Sequence, residues 1–299
     1  MRKQLTLEAY QALPWYKKPF YGILRHFSTV EDAYSARPKK WIYNVIFIVV
    51  LLGTLLWCCL DLGTFESFRN PNWAKLGKMF SAFLHPDFDY MFGMNPNSLF
   101  KFTDSVLYQI IETFAIAFIG TTIASLLSIP FGFLASRAIV GKWSIVSEVL
   151  LIVIRTVPEI LLGLVLIQVF GFGPFTGVAV LSIHSIGMIG KMYAEQLDMI
   201  SPEPLEALDA VGATPIARLR LGVVPQVAPN FLNVILYRFD LNIRTASLLG
   251  LVGAGGVGYP ISIYSQGERW PQLASVLYGV IFLVIAIDLV SGAIRKKLL

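Results

Sequence analysis

Trp41–Leu60 reads WIYNVIFIVVLLGTLLWCCL, twenty residues without an Asp, Glu, Lys or Arg. About 20 apolar residues in a helix cross the hydrocarbon layer of a bilayer, so this stretch predicts a membrane-spanning helix. The surrounding composition agrees. The chain has 299 residues, 56% of them hydrophobic and only 14% charged, whereas ordinary soluble domains carry roughly 25% charge. That balance excludes intrinsic disorder, collagen and a disulfide-rich secreted scaffold. Cys58 and Cys59 are neighbours inside the stretch; adjacent helical thiols do not reach disulfide geometry and read as small apolar residues facing lipid. The stretch begins only after forty residues and is longer than the apolar core of a signal peptide, about 7–15 residues, so it is expected to remain in the mature chain.

Working outward, five further apolar runs follow at about Val106–Leu134, Ile145–Phe170, Thr176–Ala194, Pro225–Leu251 and Leu273–Ile294. The expected fold class is an all-α integral membrane protein of about six transmembrane helices. Lysine and arginine set its orientation, because cytoplasmic loops carry the excess of positive charge. With the N-terminus inside, sixteen lie on the cytoplasmic side: eight in residues 1–40, Arg137 and Lys142, then Lys191, Arg218 and Arg220, then Arg295, Lys296 and Lys297. Outside lie Arg69, Lys75, Lys78, Lys101 and Arg269. Both termini are therefore placed in the cytoplasm of a multi-pass protein. The net charge of +5 reports this topology rather than an affinity for nucleic acid.

The chain divides into a cytoplasmic segment 1–40, the first span 41–60, an extracytoplasmic loop 61–104, a core 105–295 of five spans, and a tail 296–299. Residues 1–40 mix aromatics with cations (Trp15, Tyr16, Lys17, Lys18, Phe20, Tyr21), the pattern of a helix lying on the membrane surface. The 61–104 loop holds Trp73, Phe80, Phe83, Phe88, Tyr90 and Phe92 and is expected to form short helices against the membrane. His85, Asp87 and Asp89 within it have a superficial metal-site spacing, which reads more simply as a loop around Pro86.

The cytoplasmic loop 195–225 is the most informative segment. Pro202 and Pro204 precede a helical stretch, Glu206–Val211, that should stop at Gly212. Thr214-Pro215 then reads as an N-cap and first helical residue, and Pro225 is expected to close the second helix and lead into the fifth span. Glu206, Ala207, Gly212 and Pro225 fall on the spacing of the EAA loop of ABC importer permeases, and this segment resembles that loop. Leu208, Gly222 and Val224 depart from the usual Ala, Ile and Leu. RTVP at 155–158, HSIGMIGKMYAE at 184–195 and YRFDLNIRTASLLGLVGAGGVG at 237–258 are similar to the phosphonate-type permeases in particular. The resemblance implies the type I ABC importer permease fold in a prokaryotic inner membrane. It also implies a second permease copy as homodimer partner, two ATP-binding subunits and an extracytoplasmic substrate-binding protein. Phosphonate, phosphite or phosphate is the implied substrate.

No G-x-x-x-x-G-K-[ST] occurs: Gly77-Lys78, Gly141-Lys142 and Gly190-Lys191 are followed by Met79, Trp143 and Met192. The chain is thus expected to bind no cofactor and not to be an enzyme, with ATP and magnesium held by the partner ATPase. A short cytoplasmic helix suits the transfer of rigid-body motion from that partner, and Glu206, Ala207, Gly212 and Pro225 are its expected elements. Gly253, Gly255 and Gly258 satisfy G-x-G-x-x-G, but at a span end with no strand before them they read as close helix packing.

Charges inside spans are costly, about 2.5–3.5 kcal/mol each at mid-depth, and point to function. Arg155 with Glu159, and Asp240 with Arg244, stand four apart, so each is expected to pair on one helix face. Arg238 has no partner at such spacing. Arginine forks match the oxygens of a phosphorus anion, which makes Arg238, Arg244 and Arg155, with Asn242, Thr245, Ser247 and His184, candidate lining for a translocation path. The alternatives are a permease for another small solute and, more remotely, an intramembrane enzyme or a channel. Only His184 among the histidines lies in a span, which disfavours a hydrolytic or metal centre.

Overall fold

The computed structural model describes residues 4–5, 22–23, 40–61, 71–93 and 105–298. Two compact units divide at Trp73. In the first, β1 (Gln4–Leu5) and β2 (Gly22–Ile23) pair in parallel, and α1 (Lys40–Asp61) is the first span. The expected surface helix within residues 1–40 lies outside the described residues, as do residues 62–70 and 94–104 of the external loop.

The second unit begins at Ala74, within the first of two short helices, α2 (Trp73–Leu84) and α3 (Phe88–Phe92). Asp87 caps α3 by accepting from the Tyr90 N–H at 2.9 Å, and its other oxygen accepts from Gln272 at 3.1 Å. The residue that looked like a metal ligand is thus a helix cap tied to the last span. A Lys75–Glu268 ion pair of 2.8 Å anchors the same end, with Lys75 holding the Glu268 carboxyl below its usual range.

The core comprises α4 (Val106–Ala135), α5 (Arg137–Val140), α6 (Ser144–Thr156), α7 (Glu159–Phe170) and α8 (Pro174–Asp198). After the cytoplasmic α9 (Glu203–Ala210) and α10 (Pro215–Ala217) come α11 (Val224–Leu249), α12 (Gly258–Gln266) and α13 (Trp270–Leu298). Among the described residues five helices are long and apolar enough to cross a membrane, or six if a bent pair is counted as one span. That pair corrects the single third span read from Ile145–Phe170: α6 and α7 meet at 82°. Pro158 lacks an N–H and pushes Val157 out of the helical region, to ψ 120°, so the ladder cannot continue through it.

The long α8 is central, packing on α4, α6, α7 and α11. Small residues set these approaches, as in other membrane bundles. A Cβ on Gly120 would lie 2.9 Å from the Leu181 Cβ, and one on Gly132 2.7 Å from that of Tyr193. Ile116, Ala117, Val180, Leu181, Ile243 and Leu249 close the core between them. The G-x-G-x-x-G stretch is a compact turn from α11 to α12, in which a Cβ on Gly258 would collide with the Ser247 carbonyl.

In the cytoplasmic segment α9 ends in a Schellman motif. Gly212 takes φ 72°, its N–H donates to the Asp209 carbonyl, and the Ala213 N–H donates to Leu208, each at 3.0 Å; this pairing satisfies the last carbonyls of the helix. Thr214 caps α10 by accepting from the Ala217 N–H at 3.3 Å, with Pro215 in the first turn. Pro225, however, does not close this second helix. The chain runs on through a π-helical turn, Arg218–Val223, into α11, so that residues 215–252 form one helical run. The wider π turn changes hydrogen-bond register just before Pro225, and the first turn of α11 tolerates the missing proline N–H.

Candidate functional site

Pro158 has a consequence for the charges. Because the helix breaks there, Arg155 and Glu159 do not share a face, and the expected pair is not formed. Glu159 opens α7, where a carboxylate suits the helix N-terminus, and faces α8 and α11 instead. Its Oε1 lies 2.6 Å from Arg238 Nη2 and 2.7 Å from His184 Nδ1. Arg238 is only 4% exposed. Its Nε donates to Ser185 Oγ at 3.0 Å, and its Nη1 contacts Met188 Sδ at 3.2 Å. All three guanidinium nitrogens are therefore engaged. His184 Nδ1 also lies 2.9 Å from Arg238 Nη2, so this one ring nitrogen faces both a carboxylate that accepts and a guanidinium that donates, and its tautomer sets which of the two it bonds.

The network continues deeper. Asn242, fully buried, donates to Thr121 Oγ1 at 2.8 Å and to Ser185 at 3.0 Å; Thr121 passes its own hydrogen to the Ala117 carbonyl at 2.7 Å. Four helices, α4, α7, α8 and α11, meet in one satisfied polar chain. Ser185, Thr121 and Met188 were not among the residues singled out from sequence. Single hydroxyls in apolar spans carry no local signal, since spans commonly hold them.

A second cluster lies further along α11. Arg244 Nη2 reaches Asp240 Oδ2 at 3.0 Å and Asp288 of α13 at 3.1 Å. The Arg244 and Asp288 side chains are both 47% exposed, Asp240 only 10%. Arg155 is also exposed, at the point where Gly187 lets α6 touch α8: a Cβ there would lie 3.0 Å from the Arg155 backbone nitrogen. Thr245 is half-buried, and Ser247 is buried with its hydroxyl donating to the Ile243 carbonyl at 3.1 Å. The structure thus joins Arg238, His184 and Asn242 in one network and Arg244 with Asp240 in another, leaving Arg155 apart from both. Among the described residues no three His, Cys, Asp or Glu side chains are placed to hold a metal ion.

On the cytoplasmic side, Leu208 and Gly222 face each other. A Cβ on Gly222 would lie 2.5 Å from Leu205 Cδ2 and 3.0 Å from Leu208 Cδ1, so the leucine of α9 fills space that the glycine leaves open. Gln226 ties the two arms, accepting from the Ser201 N–H at 3.0 Å and donating to the Gly222 carbonyl at 2.8 Å. Val211 and Ile216 are 79% and 78% exposed at the turn between the arms, an apolar crest held out from the bundle.

The described residues thus form a bundle of apolar helices with ion pairs inside it and a helical elbow beside it. Residues 128–298 match the family described as "Binding-protein-dependent transport system inner membrane component", and the chain belongs to that family. It is the inner-membrane permease of an ABC importer, not itself an enzyme; such importers work with an ATPase and a binding protein. Among its relatives, the phosphite transport system permease protein PtxC of Stutzerimonas stutzeri is 36% identical over 194 residues, 64% of this chain and 70% of that protein. The phosphate-import permease protein PhnE of Mycolicibacterium smegmatis is 32% identical over 191 residues, 63% of this chain and 36% of that longer protein. In fold, the chain is similar to the permease of the inward-facing MetNI methionine ABC transporter, with TM-score 0.58, 22% identity, and coverage of 65% of this chain and 96% of that one.

Proposed function

We propose that this permease passes phosphorus oxyanions (phosphonate, phosphite or phosphate) from an extracytoplasmic binding protein to the cytoplasm. The observation that carries this reading is the 32–36% identity to permeases named for phosphite and phosphate. Titrating the cognate binding protein with phosphite, methylphosphonate and phosphate by calorimetry tests the substrate class. Saturable binding of at least one supports it, and binding of none overturns it.

The elbow at Glu206, Ala207 and Gly212, with Pro225 at its membrane end, is the coupling element in this reading. Its exposed crest docks on an ATPase subunit that holds ATP and magnesium, and its rigid link into α11 passes the movement inward. Two copies of the permease form the pore. Arg155, Arg244 and Asp288 are exposed on the single chain, and lipid contact costs each charge about 2.5–3.5 kcal/mol. A second copy, enclosing water between the two, relieves that cost.

Within the pore the arginines divide. Arg238 is bolted to Glu159 and serves as framework, with His184, Asn242 and Ser247 in the packed wall. Arg155 and Arg244 are the accessible cations of this set, with Thr245 next to Arg244 in the chain. Paired carboxylates on Arg244 weaken its hold on an anion, so that a passing oxyanion is released.

A further inference from the structure

At the extracytoplasmic end, α4 carries Gln109 and Glu112 one turn apart, both lining a cavity of about 310 Å³. The far wall is the glycine turn, held in shape by left-handed Gly253, Gly255 and Gly256 and by Thr113, whose Oγ1 accepts from the Val257 N–H at 2.9 Å. Phe172 and Tyr259, 81% and 57% exposed, also line the cavity. Among the described residues, one acceptor lining this pocket lacks a donor, and the carboxylate beside it lacks a cation. Gln109 Oε1 is buried without a hydrogen-bond partner. Glu112 accepts from the Gly256 N–H and has no ion pair within 4 Å among the described residues.

We propose that this pocket receives a lysine or arginine side chain of the extracytoplasmic binding protein. A carboxylate and an undonated amide oxygen on two side chains lining one cavity complement a cation, and the exposed aromatic rings among the lining favour one further. The same carboxylate repels a phosphorus oxyanion, so the pocket is not a subsite for the transported anion. Its size suits one long side chain entering from the face where the binding protein docks, as an anchor residue enters a preformed pocket. This inference rests on the importer reading and adds to it the sign of the charge at one docking point.

The test uses the permease–ATPase complex in nanodiscs with the substrate-loaded binding protein. The readout is the binding-protein concentration that half-maximally stimulates ATP hydrolysis, from low to high salt. Glu112→Gln keeps the acceptor for Gly256 but removes the charge, and Gln109→Leu removes the second acceptor. Both are expected to raise the half-maximal concentration about tenfold at low salt, and Glu112→Gln is expected to flatten its salt dependence. Co-purification of the ATPase at wild-type stoichiometry establishes that each variant assembles. Half-maximal concentrations equal to wild type in both variants overturn the inference. So does a loss confined to amine-bearing phosphonates with phosphite uptake intact, which would assign the pocket to substrate. A wild-type complex that no binding protein stimulates would instead overturn the importer reading.

Discussion

Glu159 Oε1 and Arg238 Nη2 lie 2.6 Å apart although 79 residues separate them in sequence. The contact joins α7 to α11 across α8, and the break at Pro158 makes it possible. Buried pairs of this kind add little over an apolar pair of the same shape, but removing one partner strands a charge.

Arg238→Met is therefore expected to destabilise the permease by about 3–5 kcal/mol, and Glu159→Gln combined with Arg238→Met to recover much of the loss. Thermal unfolding of the detergent-solubilised complex, read as a double-mutant cycle, measures this. Additive losses would show that the two side chains are not coupled.

The exposed cluster predicts a different pattern. Arg244→Gln leaves Asp240 and Asp288 facing the path without their cation, and should slow anion uptake more than it lowers stability. Adding Asp288→Asn removes one repelling charge and should restore part of the rate. Initial uptake rates in proteoliposomes decide it; equal rates for wild type and Arg244→Gln would remove Arg244 from the path. Arg155→Gln, which breaks no ion pair among the described residues, should slow uptake with little change in melting temperature.

At the elbow, nothing lies within 4 Å of a Cβ on Gly212, so substitution there meets only the left-handed backbone. Gly212→Ala should cost about 1–2 kcal/mol locally, with Gly212→Asn milder. Gly212→Pro loses the hydrogen bond to Asp209 as well, and together with Glu206→Lys should uncouple ATP hydrolysis from uptake. Comparing ATP hydrolysed with substrate accumulated checks this; full transport with both changes would sink the coupling role.

Leu208 and Gly222 offer a compensation test. Gly222→Ile alone drives a side chain into Leu205 and Leu208, overpacking that typically costs about 1–3 kcal/mol. Leu208→Ala in the same chain makes room, and the pair should assemble with the ATPase better than Gly222→Ile alone. The yield of the co-purified complex is the readout.

Much of this architecture is legible along the chain. Uninterrupted apolar runs mark the spans, and the Schellman turn at Gly212 and the cap at Thr214 follow from residue type and order alone. What the local pattern misses is whatever depends on a break in periodicity. Spacing of four pairs Arg155 with Glu159 only if the helix is continuous, and Pro158, in plain view in RTVP, is the signal that it is not. Arg238 has no neighbour in sequence because its partners come from α7 and α8, chosen by packing. Pro225 reads as a terminator, yet the π turn before it lets the helix run on.

ATP-dependent accumulation of a radiolabelled phosphorus oxyanion tests the central claim most directly. The permease, its ATPase subunit and its binding protein are reconstituted in liposomes and supplied with phosphite, methylphosphonate, phosphate or methionine. The account predicts concentrative uptake of at least one phosphorus oxyanion, abolished without ATP or without the binding protein, and none of methionine. Concentrative uptake of methionine with no phosphorus oxyanion accumulated would contradict it.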